Sequence, residues 1–262
     1  MYRMTFTKLL PLALILTASL AACAGGNDSA PSSAPGDQKW PAGPTTLPNT
    51  LLNEAIKGGV PTNVANLAFN KYDQFSGLVR NADFITIIDY TRNSGKPRMW
   101  MVNTKTGDVD SLLVAHGSGS DPNNTGTPIR FSNVPDSKMT SLGAYLVSEQ
   151  FQSSEHGTAM RLDGLERSNS LARDRGILIH SAKYVKSSLS KMGMSWGCAA
   201  IPLDWIAKAL SRLSGGSFMY AYGPPSSVDT DVTDELKIQE IMTNPSYMWV
   251  NEGEEAPVEG VL

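Results

Sequence analysis

Two cysteines, Cys23 and Cys198, are all that this 262-residue chain carries, and their positions constrain the fold more than any other feature. Cys23 closes an N-terminal segment with the pattern of an export signal. Arg3 and Lys8 make a basic start, Leu9-Leu10-Pro11-Leu12-Ala13-Leu14-Ile15-Leu16 is a short apolar core, and small residues follow. The core is shorter than the roughly 20 apolar residues that a bilayer-spanning helix needs. Leu20-Ala21-Ala22-Cys23 resembles a bacterial lipobox, in which the cysteine receives lipid before cleavage ahead of it. Residues 1–22 therefore read as a lipoprotein signal peptide, with an ordinary secretory signal that happens to contain a cysteine as the alternative. Acyl chains anchor by burying methylenes at about 0.8 kcal/mol each, and Ala24 after the cysteine fits the sorting pattern of outer-membrane lipoproteins. If Cys23 is lipidated, Cys198 has no partner in the chain. A disulfide framework is then excluded, and stability has to come from a hydrophobic core.

The chain is long enough for such a core: 41% of its residues are hydrophobic and 18% charged, which is globular rather than disordered. Residues 23–48 are rich in Gly, Ser, Pro, Asn and Ala, a composition that cannot repay its ordering entropy, and read as a flexible lipid-anchored tether. Residues 49–223 read as one globular domain and residues 224–262 as a tail with nine acidic residues and one lysine. A solvated acidic face accounts for such a tail. The net charge of −3 argues against a nucleic-acid partner, which calls for a basic stripe, and three His with two Cys are too few for zinc-finger or iron–sulfur spacings.

Within the domain, Val64, Leu67, Ala68, Tyr72 and Phe75 recur at helical spacing after Pro61. Runs rich in β-branched and large apolar residues predict strands over 84–90, 98–103 and 109–115, with Asn93-Ser94-Gly95 and Lys105-Thr106-Gly107 as turns, an antiparallel meander. Shorter strands are predicted over 143–148, 159–162, 176–180 and 217–222. Leu203, Ile206, Leu210 and Leu213 give a helix over 202–213 that Gly215-Gly216 stops. The predicted fold class is mainly β (α+β), with a few short helices.

Cys198 can be read as a small buried apolar residue or as a nucleophile. Ser195-Trp196-Gly197-Cys198 looks like a turn running on into Ala199-Ala200-Ile201-Pro202, and Gly197 would let the backbone approach a substrate carbonyl. Upstream, the strand Ile177-Leu178-Ile179 ends in His180, and an imidazole near a thiol can lower its pKa or take its proton. At these residues the sequence resembles the murein L,D-transpeptidases of the YkuD type, in particular the second YkuD branch. Supporting stretches occur in order: His116-Gly117-Ser118-Gly119-Ser120, Phe131-Ser132-Asn133, Ser141-Leu142-Gly143, His156-Gly157, Arg161-Leu162-Asp163-Gly164-Leu165 and Ser195-Trp196-Gly197-Cys198. The chain departs from the commoner branch at Trp196 and Ala200, and from its own branch at Ala199 and Ser181.

The resemblance implies a YkuD-like β-sandwich or open barrel of antiparallel and mixed strands. It also implies cleavage of the amide between the L-centre of a diamino acid and D-Ala in a peptidoglycan tetrapeptide stem. Cys198 would attack, His180 would move the proton, and the N–H groups of Gly197 and Cys198 would form the oxyanion hole. Ser195 would orient His180 or line the pocket, and a backbone carbonyl could do the orienting instead. A second stem would resolve the thioester as a 3→3 cross-link, a D-amino acid would exchange the terminus, and water would make a carboxypeptidase. No cofactor or metal is required. His116, Arg161, Gly157 and Trp196 are candidate substrate contacts, each with a structural alternative, and His156 is equally open. Peptidoglycan stems and, through Cys23, the periplasmic face of the outer membrane are the expected partners of a monomer. Two other classes compete: a non-catalytic murein-binding lipoprotein, and a metal protein using His116, His156, His180 and Cys198.

Overall fold

The structure is a computed structural model that describes residues 46–224 apart from residue 193. The expected signal peptide, Cys23, almost all of the expected tether and the acidic tail lie outside the described residues. Eight strands form one sheet: β1 (Phe84–Asp89), β2 (Met99–Asn103), β3 (Val109–Leu112), β4 (Gly143–Ser153), β5 (Gly157–Gly164), β6 (Leu178–Ser181), β7 (Ala199–Ile201) and β8 (Ser217–Tyr222). Their order is β3-β2-β1-β8-β4-β5-β6-β7. Pairing is antiparallel except for β1 with β8 and β6 with β7, so the sheet is mixed rather than a pure meander.

The two edges of the sheet nearly meet. Beyond β3 the chain runs alongside β7 and the turn before it: Ala115 N–H donates to Ala200 O at 2.8 Å, Ser195 N–H to His116 O at 2.9 Å, and Ser118 N–H to Ser195 O at 2.8 Å. These bonds make the sheet a nearly closed barrel and satisfy edge groups that would otherwise invite other strands.

Both faces of the central strands are buried, which is why their sequences are continuously apolar. One face of β1, β2, β4 and β8 (Ile85, Ile87, Trp100, Val102, Leu146, Phe218) packs on α1 (Asn49–Lys57) and α2 (Thr62–Phe75). The opposite face (Ile88, Met99, Met101, Val147, Met219) joins Met160, Ile179, Ala199 and Ile201, with Ala209 and Leu213 of α3 (Ile206–Leu213) packed among them. Burying one such large side chain contributes about 1.5–3 kcal/mol.

The helix expected after Pro61 is α2, with Val64, Ala68, Tyr72 and Phe75 buried. Leu67 instead lies on the flank of that stripe, 40% exposed. Three expectations need correction. Helix α1 was not foreseen. The strands expected over 143–148 and 159–162 extend into a long β4–β5 hairpin. A bulge between Val147 and Gln150 shifts the register, and the polar residues beyond it (Glu149, Gln150, Gln152) read as loop in sequence. Finally, the segment after Cys198 is strand β7 rather than a continuation of the turn, because it pairs with β6 on one side and receives the Ala115 bond on the other.

Candidate functional site

The register of β6 with β7 pairs Ile179 with Ala199 and His180 with Ala200. One step back, Cys198 stands opposite Leu178, and the two pack together with Ala159. Leu178 and His180 are two apart on one strand and so share a face. Cys198 and His180 are thus diagonal neighbours on that face of a parallel pair. On the other side, β5 pairs Met160 with Ile179 and Arg161 with Leu178, which puts Ala159 and Arg161 on the same face.

Cys198 is buried, 8% exposed, with its Sγ 3.6 Å from the Gly176 carbonyl oxygen, to which the thiol is a weak donor. Burial pushes the thiol up to about 11, against the pull of the Leu178 N–H, the Arg175 guanidinium and its own N–H. His180 is 1% exposed, and its Nδ1 lies 3.1 Å from Ser181 O. A carbonyl can only accept, so Nδ1 carries the proton and the lone pair sits on Nε2. Burial, first, and the neighbouring His156 push the imidazole down to about 4, and the Ser181 bond offsets this in part.

The turn ahead of Cys198 is clamped by its own serine. Ser195 Oγ donates to Cys198 O at 2.7 Å and accepts from Gly197 N–H at 3.2 Å. The hydroxyl therefore engages the turn rather than His180, and one of the two amides expected in the oxyanion hole is already bonded. Gly197 has φ +127°, and a Cβ there would lie 2.7 Å from Ile177 Cδ1 and 2.9 Å from Met139 O. Gly117 faces it, where a Cβ would come within 2.9 Å of Gly197 Cα. Two glycines let the two loops touch backbone to backbone.

The remaining candidates are spread more widely. Trp196 is 73% exposed, with Lys138 Nζ 4.5 Å from its ring centroid. Arg161 is half-exposed, but its Nε is paired with Glu149 at 3.2 Å and its guanidinium lies 4.2 Å from the Phe151 ring, so it is engaged from both sides. Gly157, at φ +69° in the turn of the β4–β5 hairpin, has nothing within 4 Å of where a Cβ would stand. His116 is wholly buried: Arg98 Nη2 is 2.7 Å from its Nδ1, and its Nε2 is 3.5 Å from Asp121 Oδ2. Among the described residues, no group of three or more His, Cys, Asp or Glu could hold a metal ion.

Arg175 was not foreseen. Its Nη2 donates to Met139 O at 2.6 Å and its Nη1 to Ser132 O at 2.9 Å, and its charge bears on Cys198. The signal that could have found it is the charged run Arg173-Asp174-Arg175 directly before the apolar strand that carries His180.

A profile of the L,D-transpeptidase catalytic domain matches residues 57–222. Among solved structures, similarity extends to an L,D-transpeptidase from Stackebrandtia nassauensis, at 14% identity and a TM-score of 0.35 over 68% of this chain and 69% of that one. An L,D-transpeptidase from Mycobacterium smegmatis is 13% identical, with a TM-score of 0.34 over 53% of this chain and 58% of that one, so the match spans little more than half of that relative. Comparison with curated protein sequences gives no match. The family match takes in the whole run of motifs from His116 to Cys198, and the chain belongs to the L,D-transpeptidase catalytic domain family.

Proposed function

We propose that the protein is a cysteine-dependent peptidoglycan L,D-transpeptidase acting on tetrapeptide stems. The observation that supports this most is the placement of Cys198 and His180 on one face of neighbouring strands, with the imidazole proton held at Nδ1 by Ser181 O.

With the thiol raised to about 11 and the imidazole lowered to about 4, both groups are uncharged at neutral pH. The reaction then begins from thiol and imidazole, and proton transfer accompanies attack. Sγ bonds to the stem carbonyl carbon as its proton passes to His180 Nε2. The tetrahedral intermediate collapses, the C–N bond breaks, and Nε2 returns the proton to the departing D-Ala amine. An acceptor amine then attacks the thioester, gives its proton to Nε2, and expels Cys198 as the thiol. In the oxyanion hole the Cys198 N–H is the better candidate, since Gly197 N–H is bonded to Ser195. Trp196, exposed beside the nucleophile, offers a platform for the stem. The lipid at Cys23 and a place in the outer membrane facing murein belong to the same proposal.

Cross-linking to a second stem, exchange with a D-amino acid and hydrolysis all release the terminal D-Ala. Full-length protein incubated with tetrapeptide-rich sacculi should therefore release D-Ala, and Cys198→Ala should abolish release without lowering the melting temperature appreciably. Mass spectrometry of the muropeptides names the acceptor: 3→3 dimers, exchanged termini or tripeptides. Release by the Cys198→Ala protein at the normal rate, or none from the wild type, overturns the proposal, and the latter leaves the non-catalytic murein-binding reading.

A further inference from the structure

The mechanism leaves His156 without a task, yet its ring lies flat on that of His180, with centroids 3.9 Å apart and planes 18° from parallel. The contact is made by the tip of the β4–β5 hairpin, and the tip is built to hold it. Ser153 pairs with Gly157 across the hairpin, the Ser153 hydroxyl accepts from the N–H groups of Glu155 at 3.3 Å and His156 at 3.2 Å, and Gly157 supplies the positive φ that closes the turn. Lower on the hairpin, Phe151 packs on the Ala159–Leu178–Cys198 cluster. One face of the hairpin therefore lies over both members of the dyad.

We infer that His156 is a positioning residue for His180, holding the plane of the buried ring so that its free nitrogen has a single direction. This deepens the reading of the site proposed above and rests on it. A His side chain has two torsions to fix. The Ser181 carbonyl fixes one edge of the ring through Nδ1, but a single hydrogen bond leaves the ring free to rock about that contact. A second planar group stacked on its face removes the rocking, and Nε2 is left with one direction. The stack also sheds water from His180 and sets a second basic group against it, so that protonation of His180 away from substrate is disfavoured. Among the described residues, charged and titratable groups beside the pair include Glu155, whose Oε2 is 3.7 Å from His156 Nε2, Cys198 on the β7 side, and Arg161 on β5.

The experiment uses full-length protein, tetrapeptide-rich sacculi and D-Ala release followed from pH 4 to 9. His156→Ala is expected to lower the rate about 10- to 100-fold, the loss that follows from misplacing a catalytic group, and to move the acid limb of the profile to higher pH. His156→Phe keeps a flat ring and should recover most of the rate while still moving the acid limb, because the basic neighbour is gone. A merely structural role would change neither the limb nor the difference between Ala and Phe. Should His156→Ala melt below the assay temperature, the Phe variant decides alone. A Phe variant that melts normally but has lost the rate, or an Ala variant with the wild-type rate and limb, overturns the inference. Cys198→Ala run alongside separates the two levels: D-Ala release from that protein removes the site itself, whereas an inert Cys198→Ala beside a fully active His156→Ala removes only the role of His156.

Discussion

Two regions of this protein hold a buried histidine, and they differ in what happens to its lone pair. His116 and His180 are both within 1% of full burial, and both are pushed down to about 4, in each case by burial first. Behind β3, Arg98 can only donate, so its Nη2 takes the Nδ1 lone pair of His116 and the proton sits on Nε2, toward Asp121. At β6 the tautomer is reversed: Nδ1–H of His180 donates to Ser181 O, and Nε2 has no hydrogen-bond partner among the described residues. Burial and weakened basicity therefore do not mark a base. The uncommitted lone pair on the same sheet face as a thiol is what sets the proposed base apart from His116.

The sharpest way to break this comparison is to remove each imidazole in turn. His180→Gln should lower D-Ala release about 10²- to 10⁴-fold, the usual contribution of a general base, at nearly unchanged stability in urea. His116→Leu should do the reverse. It leaves a buried Arg98 N–H without its acceptor, at about 1.5–3 kcal/mol, while turnover per folded molecule stays within a few-fold. A His116→Leu protein of full stability and no activity would show that the two regions had been assigned the wrong way round.

How much of this was legible beforehand follows the same line. Cys198 and His180 could be singled out because their signal is local: a histidine ending an apolar strand, and a glycine-cysteine pair in a protein whose other cysteine precedes the domain. The strands expected over 84–90, 98–103 and 217–222 could be read, to within a residue at their ends, because both their faces are largely apolar. The partners of His116 were not legible, since Arg98 and Asp121 reach it through the fold, 18 residues before it and from the loop after it, and no spacing rule links them. The same holds for Ser195. It was expected to orient His180 or line the pocket, but its hydroxyl bonds the backbone of its own turn. His156 was visible as a residue, but its stack was not, because the hairpin that delivers it is polar on both flanks.

Acid titration sharpens the comparison further, with a smaller effect. Unfolded histidines take up protons near pH 6.5, whereas both imidazoles stay neutral in the folded protein down to about 4. Between those values the unfolded chain binds more protons, so stability must fall as pH is lowered from 6.5 toward 4. Each group accounts for at most about 3 kcal/mol of that fall. Urea melts across this range should show a shallower pH slope in both His116→Leu and His180→Gln, by similar amounts. A slope that His180→Gln leaves intact would mean that this ring meets water in solution, and that the hairpin above it stands open much of the time.

The smallest predicted effect tests how the two regions are joined. His116 O accepts the N–H of Ser195, and the Ser195 hydroxyl in turn grips Cys198 O and Gly197 N–H. The inert histidine's backbone thus carries the turn that presents the thiol. Ser195→Ala keeps the backbone bond and deletes the grip, leaving Cys198 O without its donor at about 1 kcal/mol. The glycine contact between Gly117 and Gly197 still holds the loops together, so the fold should survive with a modest fall in melting temperature. The looser turn should cost about tenfold in D-Ala release, and Ser195→Thr, which restores a hydroxyl, should recover part of it. A Ser195→Ala protein as fast as the wild type would show that the two glycines alone set the thiol in place, and that the bonded chain from His116 to Cys198 contributes only to stability.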